Sequence, residues 1–251
     1  YAAANDDKTP DMPFPEAGAM SQGYIGYQLS QAILNELKRR DIMRSTACIV
    51  TETVVDEDDL AFQNPTKPVG AFMDEETAKA KAEAMGITVK EDAGRGWRQV
   101  VASPIPKRIV EFDAVRDLVE DGYIVVSTGG GGVPVFETGD GYVGTPAVID
   151  KDRSSALMAA ELGADMLIIL TAVEKVAVNF GKENEKWLDE MTVEEAQKYV
   201  EEGQFAPGSM LPKVQAAMDF ASSGEGRTAM ITLLEKAKDG IQGKTGTKVH
   251  I

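Results

Sequence analysis

From Tyr123 to Leu233 the sequence alternates between two hydrophobic periods, and that alternation most constrains the fold. "YIVVST" (123–128), "DMLIILT" (165–171) and "TAMITL" (228–233) are short, β-branched apolar runs of the length of buried strands. Between them lie "IDKDRSSALMAAELGA", "TVEEAQKYVEEG" and "LPKVQAAMDFA", which read as helices. In the last of these, the apolar face falls at Val214, Ala217, Met218 and Phe220. Strands that alternate with helices imply an α/β fold with a mainly parallel sheet covered on both faces. Upstream, "MSQGYIGYQLSQAILNELKRR" (20–40) reads as an amphipathic helix, "TACIVTETVV" (46–55) as a strand, and 111–121 as a further helix. Asp56 to Pro106 breaks the alternation. It holds a Pro-rich turn, "NPTKPVG", a charged helix from Asp74 to Met85, and "ITVKEDAGRGWRQVVASP", a hairpin turning at Ala93-Gly94-Arg95-Gly96. The whole segment reads as an inserted lobe. No tandem repeat or low-complexity tract is present.

The 251 residues suffice for one large domain or a domain with an insertion. There are 41 acidic and 26 basic residues, a net charge of −15, which opposes binding to nucleic acid or to an anionic membrane. A small anion then has to be captured by a local basic cluster. The lone Cys48 excludes an internal disulfide and suits a reducing, cytoplasmic setting. His250 is the only histidine, so neither a histidine triad nor a histidine metal cage is expected. No signal peptide or long apolar run is apparent. The sequence begins at Tyr1 without a methionine, and a truncated start is therefore expected.

In parallel α/β sheets ligands bind beyond the carboxyl ends of the strands. After "YIVVST" come Gly129, Gly130, Gly131 and Gly132. Such a run serves as a flexible turn or lets backbone N–H groups approach an anion, and its place after a buried strand favours the anion loop. It matches neither the Walker pattern nor the dinucleotide fingerprint. In "VIDKDRSS", Asp150 or Asp152 suits a helix cap, but Lys151 stands between them; in "FAPGSMLPK", Lys213 follows a loop broken by Pro207, Gly208 and Pro212. Each lysine places a cation at a helix opening, where partial positive charge favours an anion. A solvated lysine paired with neighbouring carboxylates explains either one alone. A strongly anionic ligand explains both. Phosphoryl transfer needs such groups, because its transition state spreads negative charge over oxygens. Lys151 and Lys213 would then neutralise the transferring group, Asp152 would hold their ammonium groups, and the glycine loop would hold the acceptor. An acceptor that is already an anion requires no general base.

These residues carry a resemblance to the carbamate kinases of the amino-acid kinase superfamily. The matching stretches are "MSQGYIGY", "NPTKPVG", "EDAGRGWRQVVASP", "GGGGVPV", "AVIDKD", "LIILTAV" and "FAPGSMLPK". The "NPTKP" and "DAGRGWR" stretches resemble the protruding subdomain of that family and are the most specific. The resemblance spans the whole chain. It implies a three-layer αβα sandwich of the acetylglutamate kinase-like type (1–251), with 56–106 as a protruding, lid-like subdomain. It also implies a homodimer. The implied reaction is ATP with carbamate giving ADP and carbamoyl phosphate, run in the ATP-forming direction during arginine breakdown. Mg²⁺ would be held mainly through nucleotide phosphates and water, with no metal site of the protein's own.

Carried over by position, Lys151 and Lys213 match the phosphate-contacting lysines, Asp152 the organising aspartate, and Lys67 a subdomain lysine that reaches towards the site. Thr171, Ala172, Val173, Gly208, Ser209 and Met210 fall where the family binds nucleotide. The family begins with a strand, a "GGNA"-like loop, a helix, and a second strand ending in a "GNGP"-like loop, none of which is matched here. The expectation is a chain lacking that N-terminal part, less stable and weakly active. Two alternatives are another acylphosphate-forming amino-acid kinase and a catalytically silent nucleotide-binding fragment.

Overall fold

The computed structural model describes residues 12–92 and 94–251, so the N-terminal residues and Ala93 of the expected hairpin turn lie outside the described residues. The chain divides into two compact units, Tyr1–Lys151 and Asp152–Ile251.

The first unit opens with α1 (Phe14–Arg39), which starts six residues before the expected helix. Pro13 precedes it and a proline occupies its first turn, where φ near −65° is already helical and no N–H is needed. Glu16 in the first turn and Lys38 and Arg39 in the last suit the helix dipole. The apolar run 46–55 is two strands, β1 (Thr46–Cys48) and β2 (Glu52–Val55). Next come β3 (Lys67–Met73), α2 (Glu75–Met85), β4 (Val89–Glu91), β5 (Trp97–Val101), β6 (Pro106–Ile109) and α3 (Phe112–Glu120). The unit ends with β7 (Ile124–Val126), β8 (Val133–Thr138) and β9 (Gly141–Gly144). β1 pairs in parallel with β7, and β2 in parallel with β8, joining Glu52 to Val133 and Val54 to Val135. The antiparallel neighbours β6 and β9 extend the latter sheet to the order β6-β2-β8-β9.

The lobe has its own three-stranded antiparallel sheet, in the order β3-β5-β4. "NPTKPVG" therefore does not end as a turn: from Lys67 onward it is strand. β3 is an edge strand, and an edge tolerates Pro68 because one row of N–H groups needs no partner. α2 is capped by Asp74, whose carboxylate accepts from Thr77 N at 2.8 Å, and closes at Gly86 with φ 65°. Its Ala78 is fully buried.

The second unit contains α4 (Lys151–Glu161), which begins at the last residue of the first, then β10 (Met166–Thr171), β11 (Val176–Val178), β12 (Lys186–Leu188) and β13 (Glu190–Thr192). α5 (Val193–Glu201), α6 (Met210–Ser222), β14 (Thr228–Leu233), α7 (Ala237–Ile241) and β15 (Thr247–His250) complete it. β10 and β14 pair in parallel over their full length, Met166 with Thr228 through Thr171 with Leu233. β15 and β13 continue this sheet in the order β10-β14-β15-β13. Val214, Ala217, Met218 and Phe220 of α6 are all buried, in a cluster with Leu167 and Ile169 of β10, Ile231 of β14 and Val249 of β15. Removing a side chain such as Phe220 or Ile231 from water contributes roughly 1.5–3 kcal/mol. α5 is fixed by a reciprocal capping box between Thr192 and Glu195.

Candidate active site

In the first unit, the loop after β7 is tightly constrained. Thr128 has φ 58°, Gly129 39°, Gly131 130° and Gly132 85°. The need for glycine differs along the run. A Cβ on Gly131 would overlap the Ile149 carbonyl, and one on Gly132 would overlap the Thr53 hydroxyl. A Cβ on Gly129 would run into the Gln22 stem, whereas nothing stands within 4 Å of the position at Gly130. Three glycines thus press the loop against the protein, and Gly130 is the exposed one. Gly130 and Gly132 line a cavity of about 280 Å³ with Phe14, Ala17, Gly18 and Ser21 of α1.

Lys67, at the start of β3, donates from Nζ to Asp150 Oδ2 at 2.8 Å. Asp150 immediately precedes α4 and is buried. The lobe lysine is thus already tied to the segment carrying Lys151, which is itself exposed.

In the second unit, Lys213 lies in the first turn of α6, but the helix opens earlier than expected, at Met210. Pro212 sits inside that first turn rather than in a loop, where its missing N–H is no loss. Ser209 precedes the helix without capping it through its side chain. The Lys213 ammonium donates to Asp152 Oδ2 at 2.7 Å, and the two side chains are only 13% and 8% exposed. The cation is therefore not solvated. A buried lysine needs a nearby anion, and the first turn of α4 supplies one. Arg153, the next residue after Asp152, donates to Gln215 Oε1 at 3.0 Å. Burial pushes the Asp219 carboxyl above its ordinary range, with Arg153 opposing.

Beyond the C-terminal end of β10 lies a cavity of about 150 Å³ lined by Val173, Lys175, Phe180, Trp187, Phe205, Ser209 and Met210, among others. Of the residues expected to bind nucleotide, Val173, Ser209 and Met210 line this cavity. Thr171 is the last residue of β10 with Ala172 next to it, and Gly208 lies in the loop before α6. The Phe180 and Trp187 rings meet edge to face, 6.0 Å apart, across the β11–β12 hairpin. Sequence reasoning missed this pair. Its signal was the apolar alternation of "VAVNF" and "KWL" around a Gly-bearing turn. A charged cluster that it also missed secures the loop after β10. Glu174 accepts from Lys236 at 2.7 Å and from the Thr245 hydroxyl, and the Lys236 hydrogen bond first of all holds its carboxyl below the usual range. A hydrogen bond to Asp189 holds the Lys175 ammonium above the usual lysine range.

Among the described residues, no three His, Cys, Asp or Glu side chains gather as a metal cage, and no helix is long and apolar enough to cross a membrane. His250 sits in β15, with Nε2 3.8 Å from Glu190 Oε2 and Nδ1 against the Ile251 carbonyl.

Comparison with known proteins gives these features a family. The amino acid kinase family matches residues 31–232. A carbamate kinase-like protein of Escherichia coli, YqeA, is 54% identical over 248 residues, covering 99% of this chain and 80% of its own. The carbamate kinase of Clostridium perfringens is 51% identical, covering 97% and 78%. Among solved structures, carbamate kinase from Giardia lamblia bound to AMP-PNP superposes with a TM-score of 0.88 at 43% identity, covering 99% of this chain and 78% of that one. An identity near one half over nearly the whole chain, with the same α/β fold, leaves one assignment: the chain belongs to the amino acid kinase family and, within it, to the carbamate kinases.

Proposed function

We propose that the chain catalyses reversible phosphoryl transfer between ATP and carbamate, giving ADP and carbamoyl phosphate, and that it works in the ATP-forming direction in arginine catabolism. In the forward direction a carbamate oxygen forms a bond to the γ-phosphorus as the bond from that phosphorus to the β,γ-bridging oxygen breaks. ADP leaves with the electron pair. The nucleophile is already an anion, so no general base is required. The work is positioning and charge neutralisation.

The observation that best supports this reading is the buried Lys213 ammonium, held by Asp152 in the first turn of a helix. Lys213 and Lys151 are assigned to the transferring phosphoryl group, and Asp152 to orienting Lys213. Gly129 to Gly132 are assigned to the acceptor, with Lys67 beside Asp150. Thr171, Ala172, Val173, Gly208, Ser209 and Met210 are assigned to the nucleotide, its base against Phe180 and Trp187. The gathered side chains are ammonium groups and aromatic rings, which suit phosphate and base rather than a cation. Mg²⁺ would therefore arrive with the phosphates and water and neutralise their charge.

The segment 56–106 is assigned as a lid. A homodimer is supported by the outer face of α1, where Met20, Tyr24 and Tyr27 are exposed. A cytoplasmic location fits the single, unbridged Cys48. The test is ATP formation from ADP and carbamoyl phosphate, run beside acetylglutamate and nucleoside monophosphates with ATP. Turnover with carbamate alone supports the proposal. Preference for another acceptor would overturn it.

A further inference from the structure

One buried polar network remains without a role in the chemistry above, and it runs from α1 to the glycine loop. Gln22 is 4% exposed and, with Gly26, is one of the two buried residues of α1. Its side-chain amide behaves like a strand neighbour. Nε2 donates to Thr51 O at 3.0 Å, and Oε1 accepts from Thr51 N at 3.1 Å. Between β1 and β2, Thr51 N is thus taken by a side chain, while Thr51 O is shared between Gln22 and Val133 N, and the apolar run 46–55 is not one strand. The Thr51 hydroxyl also donates to Gln22 Oε1, at 3.2 Å, and accepts from Thr128 N at 2.9 Å. Thr128 is a β-branched residue at φ 58°, a conformation that L residues adopt only when something holds them there.

From Thr128 the network enters the loop. Gly131 N donates to Thr128 O at 2.6 Å, and the Thr53 hydroxyl donates to Gly131 O at 3.1 Å. The Gln22 stem also fills the space beside Gly129. Gln22, Thr51, Thr53 and Thr128 are all buried, and the Thr51–Thr128 and Thr53–Gly131 bonds fix backbone atoms on either side of Gly130. Gly130 itself stays open to the cavity.

We infer that Gln22 and Thr51 are positioning residues for the acceptor: they hold Thr128 in its left-handed conformation and so aim the glycine loop at the anion it binds. The inference rests on the assignment of Gly129–Gly132 to the acceptor. Thr51 does not line the cavity, whereas Gln22 lines it beside Gly130, and its amide is taken up by Thr51. Both act through the loop, and their loss weakens acceptor binding without altering the nucleotide side.

Thr51→Val keeps the β-branched shape and removes the hydroxyl, while Thr51→Ser restores it. Gln22→Met keeps the length and removes both amide bonds. Two readouts are needed. In the first, amide hydrogen exchange read by NMR, Thr128 N–H exchanges at least about tenfold faster in Thr51→Val and Gln22→Met. It returns to the parent rate in Thr51→Ser, and amides of β10 and β14 serve as unchanged controls. In the second, ATP formation, the KM for carbamoyl phosphate rises about tenfold in Thr51→Val, the KM for ADP stays the same, and Thr51→Ser recovers to within about twofold. A lower kcat with both KM values unchanged marks a structural role only and overturns the inference. So does an unchanged Thr128 exchange rate. If the parent chain forms no ATP from carbamoyl phosphate, the proposed reaction fails, and the exchange measurement still decides whether Thr51 holds the loop.

Discussion

The two units hold comparable lysine–aspartate pairs in different ways. In the second unit, Lys213 and Asp152 are 13% and 8% exposed, in a unit whose core gathers nineteen buried residues from α4, α5, α6, the four-stranded sheet, the β11–β12 hairpin and the loop at Phe205. In the first, Lys67 is 34% exposed and Asp150 12%, so only the lysine reaches water, and the buried apolar cluster of β2 and β8 is Val54, Val133 and Val135. What the first unit lacks in apolar packing near its loop it replaces with the Gln22, Thr51, Thr53 and Thr128 hydrogen bonds. The difference teaches that equal N–O distances do not carry equal energies. A buried pair fails expensively when one partner goes, because the other charge is stranded. A pair with one partner a third exposed is rescued only in part, since water reaches the lysine and not the aspartate.

The largest effect is expected from breaking the buried pair. Lys213→Ala should lower turnover about a hundredfold or more, through loss of one transition-state donor. It should also cost about 3–5 kcal/mol in chemical denaturation, because Asp152 is left buried and unpaired. Lys67→Ala should cost less, about 1–3 kcal/mol, because it leaves the buried Asp150 without this donor although the lysine itself is already one-third in water. The double variant Asp152→Asn/Lys213→Met should regain much of the stability and none of the turnover. Equal stability losses at Lys213 and Lys67 would erase the contrast between the units.

The apolar cores should differ in the same direction. Phe220→Ala leaves a cavity in the second unit and should cost about 3–5 kcal/mol. Val135→Ala removes two methyl groups, at about 0.8 kcal/mol each. Denaturant midpoints compare the two directly, and a larger loss at Val135 would reverse the reading of where packing dominates.

Next in size is the aromatic edge of the second unit's cavity. Trp187 is exposed enough that Trp187→Ala should leave stability nearly unchanged. If the base stacks there, ADP affinity by calorimetry should fall about tenfold. Unchanged affinity would place the base elsewhere.

A smaller, local effect should separate the lobe from the rest of its unit. With nucleotide and carbamate present, β3 and the β4–β5 hairpin should gain protection from hydrogen exchange if 56–106 closes as a lid. Identical protection with and without ligands would make the lobe a fixed appendage.

The smallest effect concerns Asp219. Its carboxyl is raised by burial, so the folded chain binds this proton more tightly than the unfolded chain does. Its contribution is therefore full below the ordinary aspartate pKa and is lost as pH rises through the raised value. Asp219→Asn should raise Tm by about 2 °C at neutral pH and by nothing in acid, where the carboxyl is protonated in both states. A difference that persists in acid would show that it does not come from ionisation of the carboxyl.

Much of this was legible beforehand because it is local. The spacing of Val214, Ala217, Met218 and Phe220 gave the buried face of α6, and the run from Met166 to Thr171 gave a strand. Other features were hidden because their cause lies far away in sequence. β9, β13 and β15 are short, and they are strands only because a neighbour offers free backbone groups. Pro212 read as a breaker, yet the first turn of a helix forgives it.

Local chemistry alone carries the strand–helix alternation, the glycine run and the two lysines at helix openings, since each follows from neighbouring residues. Only the tertiary structure decided how those groups are held. It split the run 46–55 and bonded Thr51 within it to Gln22, 29 residues away, and it paired Lys213 with Asp152 across 61 residues. It also brought Phe180 and Trp187 to the mouth of one cavity. Periodicity shows which side of an element is apolar. It carries no record of which distant polar group satisfies a buried N–H or charge, and burial makes that pairing obligatory.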